Sequence, residues 1–187
     1  MSRKIIDKIN YFILTGGPGS GKTAILSELA CRGYLTVPEV ARTIIQKQDA
    51  VGGNAIHTGD RCKFRDLMLE QSIADYKKMQ IEEHAVFFDR GIPDLYGYSN
   101  AFCNETSRDV VQAVTQFRYN KTVFILPPWQ EIYVNDEERK QDFQEAIFTY
   151  TVLKEAYSYC NYYVVEIPKV SINQRVDFIL KLVLGPE

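Results

Sequence analysis

The sequence predicts a three-layer α/β fold, with a five-stranded, mostly parallel sheet between two layers of helices. Two observations predict it. Short apolar, β-branched or aromatic runs alternate along the chain with longer amphipathic segments, the pattern of strands joined by helical crossovers. The first such run, residues 11–14, feeds into "TGGPGSGKT", a turn holding four glycines that opens a helix. Glycines cost backbone entropy on folding, so their concentration in one turn calls for a purpose.

The remaining elements follow in order. Residues 11–14 read as a buried strand, and "TAILSELACRGY" as the helix after the turn, with Ile25, Leu26, Leu29 and Ala30 on one face. "YLTVP" (34–38) is a short strand stopped by Pro38. "VARTIIQKQ" and "RCKFRDLMLEQSIADYKKMQ" are helices, and "QDAVGGNAIHTGD" (48–60) is a glycine-containing loop between them. "AVFFD" (85–89) is a second buried strand, followed by helices at "PDLYGYSNAF" and "SRDVVQAVTQF". "KTVFILPP" (121–128) is a strand ended by two prolines. "EERKQDFQEAIFTYTVLKEAYSYC" is a long helix, "YYVVEIP" (162–168) the last strand and "INQRVDFILKLVL" the terminal helix. No repeat, low-complexity tract or linker interrupts residues 1–187, so one domain is expected.

Composition narrows the function. The net charge is -2, with 22 Lys and Arg against 24 Asp and Glu spread along the chain, so no basic block marks a nucleic-acid site. Four cysteines lie far apart without metal spacing, and no apolar run approaches a membrane span. A reduced, cytoplasmic setting is the expectation. His57 and His84 are isolated from any nucleophile and are read as structural.

The chemistry starts at the glycine turn. Gly16, Gly21, Lys22 and Thr23 have the GxxxxGK[ST] spacing of a phosphate-binding P-loop. In such a loop the backbone N–H groups of Gly16, Gly17, Pro18, Gly19, Ser20, Gly21, Lys22, Thr23 and Ala24, proline excepted, surround the phosphates of ATP or GTP. Lys22 reaches the β/γ oxygens and the Thr23 hydroxyl holds Mg²⁺. The helix that follows points the positive end of its dipole at the phosphates.

Three further places could decide the reaction. Asp89 ends a buried strand, where a second acid orients Mg²⁺ or takes a proton, and it is followed by Arg90 rather than by a water-polarising glutamate. That pair suits phosphoryl transfer, although a strand-end aspartate that caps the next turn has the same appearance. Glu39 and Arg42 in "VPEVAR" share a helical face by their spacing; they face an acceptor hydroxyl or form a plain ion pair. The charged stretch 129–143 is placed as a helical lid, with Arg139 and Lys140 brought over the γ-phosphate, or as a solvated helix face.

Taken together, "FILTGGPGSGKTAILSELACRGYLTVPEVARTII", "VFFDRGIPDLYGY" and "RYNKTVFILPPWQEIYVNDEERKQDF" resemble a family of P-loop proteins named among the AAA-type domains. That family is similar to the ribosylnicotinamide kinase domain of the bacterial NAD-biosynthesis regulator, and to an animal trafficking protein that binds GTP and phosphatidic acid. The resemblance covers about residues 11–180. It implies a nucleotide-kinase-like P-loop fold, Lys22 and Thr23 on phosphate and Mg²⁺, and Asp89 on the metal side. It also implies Glu39 and Arg42 near the acceptor and Arg139 in the lid.

Three function classes follow. A small-molecule kinase is favoured by Asp89–Arg90, Glu39 and the lid cations. A nucleotide switch binding a protein or lipid partner is the second; for a Ras-like form, "NKTV" at 120–123 lacks the aspartate of NKxD, and "DLYG" at 94–97 lies in a helix beyond the strand end. An ATPase working on macromolecules lacks both the acid pair after the strand and room for a second helical domain.

Overall fold

A computed structural model describes residues 5–105, 107–133 and 143–185. The elements run β1 (Ile6–Asp7), β2 (Tyr11–Gly16), α1 (Lys22–Cys31), β3 (Leu35–Val37), α2 (Val40–Val51), α3 (Arg61–Lys78), β4 (Val86–Asp89) and α4 (Ile92–Phe102). They continue with α5 (Arg108–Gln116), β5 (Phe117–Arg118), β6 (Thr122–Leu126), α6 (Phe143–Tyr159), β7 (Tyr163–Glu166) and α7 (Ile172–Leu184). Five strands form one sheet in the order β3-β4-β2-β6-β7, and every neighbouring pair is parallel.

The sheet is central because its middle strand is buried on both faces, as parallel sheets require. Successive side chains of β2 point to opposite sides. Tyr11 and Ile13 join the core under α2–α5, whereas Phe12 and Leu14 pack with Ile25, Leu29, Val176 and Ile179 of α1 and α7. The first core is rich in tyrosines, and their hydroxyls find partners. Tyr76 donates to the carbonyls of Ile6 and Arg118, bridging β1 and β5, which pair as a separate two-stranded ribbon.

The sequence reading holds for the order and type of the main elements and departs from the structure in three places. Ala30 is exposed and not on the buried face of α1. Helix α2 runs through Val51 and stops at Gly52, whose left-handed φ of 63° ends it, so the expected loop from 48 begins four residues later. The ribbon of β1 and β5 was not anticipated, since two-residue strands carry no alternation. The expected lid helix and the first residues of the long helix, including Arg139 and Lys140, lie outside the described residues.

Candidate active site at the carboxyl edge of the sheet

All five parallel strands end at one edge, and the site is assembled from the segments that leave it, where open α/β sheets place their ligands. The turn after β2 is the P-loop, running from Gly16 into the first turn of α1. Two of its glycines are required by geometry. Gly19 has φ 68°, and a Cβ there would stand 2.6 Å from the ring of Tyr133. Gly21 has φ 88° and would set a Cβ 3.1 Å from a guanidinium nitrogen of Arg175. Ser20 Oγ donates to the Gly17 carbonyl at 2.8 Å, and Lys22 Nζ donates to the carbonyls of Gly16 and Gly17 at 3.3 and 3.4 Å. Lys22 is buried, and that burial, reinforced by the nearby Arg90, lowers its pKa to about 8. Thr23 lies exposed in the same first turn, with Ala24 half-buried beside it.

The segments after β3 and β4 bring a charged cluster beside the loop. Glu39 is the N-cap of α2, Asp89 ends β4 and Arg90 follows it. Arg90 sits at φ 69°, uncommon for a side chain larger than glycine and a sign of local strain held by its partners. Its Nε donates to Glu39 at 2.8 Å and an Nη to Asp94 at 3.1 Å. Burial works against ionisation of Glu39, but Arg90, then Lys22, hold its carboxyl down at about pKa 2. Burial likewise opposes the charge on Arg90, and the carboxylates of Glu39, Asp94 and Asp89 overcome it and raise its pKa. Arg42, expected on the same face as Glu39, is exposed and acts on it only through its field; the hydrogen-bonded cation is Arg90.

Asp94 is the residue that sequence reasoning missed. It is buried in the first turn of α4 and accepts from Thr15 Oγ1 at 2.6 Å, from Arg90, from the Gly91 N–H at 2.9 Å and from the Tyr157 hydroxyl. It therefore ties β2, β4 and α6 together at the site.

Asp89 differs from its neighbours. Among the described residues its Oδ1 is buried without a hydrogen-bond partner. Burial raises its pKa. An orphaned carboxylate oxygen of this kind is what a cation or a bound water satisfies. It and the Thr23 hydroxyl are oxygen donors of the kind that would hold an Mg²⁺. Among the described residues no group of three His, Cys, Asp or Glu side chains could hold a metal unaided. Next to Asp89 opens a cavity of about 40 Å³, room for about three waters, lined by Glu39, Asp89, Arg90, Asp94, Ser72 and Asp75 with Met68 and Tyr119.

The chain belongs to the AAA domain family, whose pattern matches residues 11–175. No curated protein matches it in sequence. Among solved structures it is similar to deoxyadenosine kinase from M. mycoides, with a TM-score of 0.64 and 13% identity over 93% of this chain and 98% of that one. NadR protein in complex with NR matches at TM-score 0.63 and 14% identity, over 96% of this chain and 52% of that one. Shikimate kinase from Acinetobacter baumannii matches at 0.57 and 16%, over 93% and 92%. The fold is that of the P-loop nucleotide kinases, and NadR stands among the similar structures as the resemblance implied. Among the described residues no helix is long and apolar enough to cross a membrane.

Proposed function

We propose that the protein is an Mg²⁺-dependent kinase that moves the γ-phosphoryl group of ATP or GTP to a hydroxyl of a small molecule. The observation that carries this reading is the Glu39–Arg90–Asp94 cluster with its cavity, set beside the P-loop at one sheet edge. The backbone from Gly16 to Ala24 cradles the phosphates and Lys22 leaves its two carbonyl partners for the β/γ oxygens. Thr23 and Asp89 would hold the cation, which would neutralise charge on the phosphates. Glu39, ionised over the whole working range, accepts a hydrogen bond from the acceptor hydroxyl and aims its oxygen at the γ-phosphorus. As that P–O bond forms, the bond to the β-phosphate oxygen breaks and the hydroxyl proton leaves through Glu39 to water. Arg90 fixes the Glu39 carboxylate, and Asp94 fixes Arg90. Arg42 adds positive potential at the acceptor, and Arg139 belongs to the lid of this scheme.

The charges of the cavity restrict the acceptor. Among the described residues Glu39, Asp75, Asp89 and Asp94 line it with Arg90 as the one lining cation, and Arg90 is already paired twice. A phosphate or carboxylate entering it would meet like charge, so the part of the acceptor that enters is a neutral or cationic hydroxyl group, such as a nucleoside presents. Four free thiols agree with a reducing, cytoplasmic setting for a single P-loop domain. A thermal-shift screen tests the reading: ATP or GTP with Mg²⁺ and a nucleoside should each raise the midpoint. A ligand at about 100 times its Kd adds about 2.7 kcal/mol. Stabilisation by nucleoside monophosphates or acidic sugars and not by nucleosides would contradict the acceptor class.

A further inference from the structure

The other flank of the P-loop carries a cation that the scheme above leaves unused. Arg175 is 5% exposed and lies at the start of α7, where its backbone N–H makes the first helical bond to Ser171. A helix N-terminus repels positive charge, so a buried arginine there is in conflict with its own helix. It lies against Gly21, the N-cap of α1, so the positive ends of two helices converge on it. Among the described residues no carboxylate pairs with it. Its Nε donates to the Val170 carbonyl at 2.8 Å, and its guanidinium stacks 4.6 Å from the ring centre of Trp129. Burial alone lowers its pKa, with no described anion opposing that effect. A buried cation without an anion among the described residues, touching the last glycine of a phosphate loop, is placed to pair with an anion that visits this loop.

We propose that Arg175 is a phosphate-binding residue of the nucleotide site, whose guanidinium turns from the indole of Trp129 to a phosphate oxygen when nucleotide binds. This rests on the reading of the loop as a nucleotide site. It couples α7 and the segment after β6 to occupancy of that site, since both hold the guanidinium. It also supplies a reporter, because Trp129 is the chain's single tryptophan.

The test titrates the whole protein with MgADP, inorganic pyrophosphate and adenosine, following Trp129 emission and measuring Kd by calorimetry. ADP and pyrophosphate should both shift the emission, and adenosine should not. Arg175→Gln should weaken ADP and pyrophosphate about ten- to hundredfold, the range for losing a charge-assisted hydrogen bond, and should flatten the salt dependence of ADP affinity. Arg175→Lys, which keeps the charge, should recover part of the loss, while far-ultraviolet circular dichroism confirms that both variants fold. Wild-type ADP affinity in folded Arg175→Gln, with affinity lost in Lys22→Ala, would overturn the proposal and leave the P-loop reading intact. An emission shift with adenosine equal to that with ADP would overturn it too, making the pair a base platform. If the wild-type protein binds neither ADP nor pyrophosphate, the nucleotide reading itself falls.

Discussion

The phosphate loop and the carboxylate cluster stand side by side at the edge of the sheet, yet they satisfy their polar groups in different ways. In the loop the partners are close in sequence and neutral: Lys22 donates to Gly16 and Gly17, and Ser20 to Gly17. In the cluster they are distant and charged, with Arg90 on Glu39, and Thr15 and Tyr157 on Asp94. The Lys22 bonds, at 3.3 and 3.4 Å, are long, whereas Thr15–Asp94 and Arg90–Glu39 measure 2.6 and 2.8 Å. Long bonds to carbonyls are readily exchanged for a phosphate. Short, charge-assisted bonds among buried and half-buried groups are set before any substrate arrives. In the proposed scheme the nucleotide half therefore rearranges on binding, while the acceptor half is set beforehand.

The most forceful way to break that comparison is to remove its rigid hub. Asp94→Ala leaves Thr15, Tyr157 and the Gly91 N–H without their acceptor and Arg90 half-paired, and should cost about 3–5 kcal/mol in denaturant unfolding. A loss under about 1 kcal/mol would show that the cluster is as pliable as the loop. Lys22→Ala comes next: turnover should fall by at least about a hundredfold in steady-state kinetics, with the fold kept because among the described residues this lysine hydrogen-bonds to two carbonyls and to no carboxylate. Glu39→Gln sharpens the division between the halves. It should lower transfer to the acceptor by about a hundredfold while ADP affinity in calorimetry stays within about twofold.

The smallest effect is in pH. Lys22 has its pKa lowered to about 8 by burial, and phosphate binding requires it charged. ADP affinity should be level below pH 7 and fall above 8, by at most about tenfold per unit, with protons taken up on binding. Glu39, held at about pKa 2, should add no dependence between pH 5 and 7.

The same contrast explains what could be read from one sequence. The P-loop turn was legible because its proposed function sits in nine consecutive residues whose types suit backbone approach to phosphate. The place of Asp89 at a strand end was legible because a buried run, Val86 to Phe88, ends on it. Asp94 was set aside as part of a helix start, and it does cap α4 through the Gly91 N–H. Its other partners, Thr15 and Tyr157, are 79 and 63 residues away, a pairing that no local pattern encodes. For the same reason Glu39 was matched to Arg42, three residues on, when its partner Arg90 is 51 residues distant. Arg175 carried no signal as one cation in an amphipathic helix; its significance comes from burial against Gly21.

The central claim, transfer of phosphoryl to a hydroxyl acceptor, is tested most directly by incubating the protein with Mg²⁺ and γ-¹⁸O-labelled ATP or GTP in a small-molecule pool from cell extract. Mass spectrometry then finds any compound that gains labelled phosphate. The account predicts a newly phosphorylated neutral or cationic compound with the wild-type protein, absent with Lys22→Ala and strongly reduced with Glu39→Gln. Labelled inorganic phosphate as the sole product, formed equally by wild type and Glu39→Gln, would contradict it.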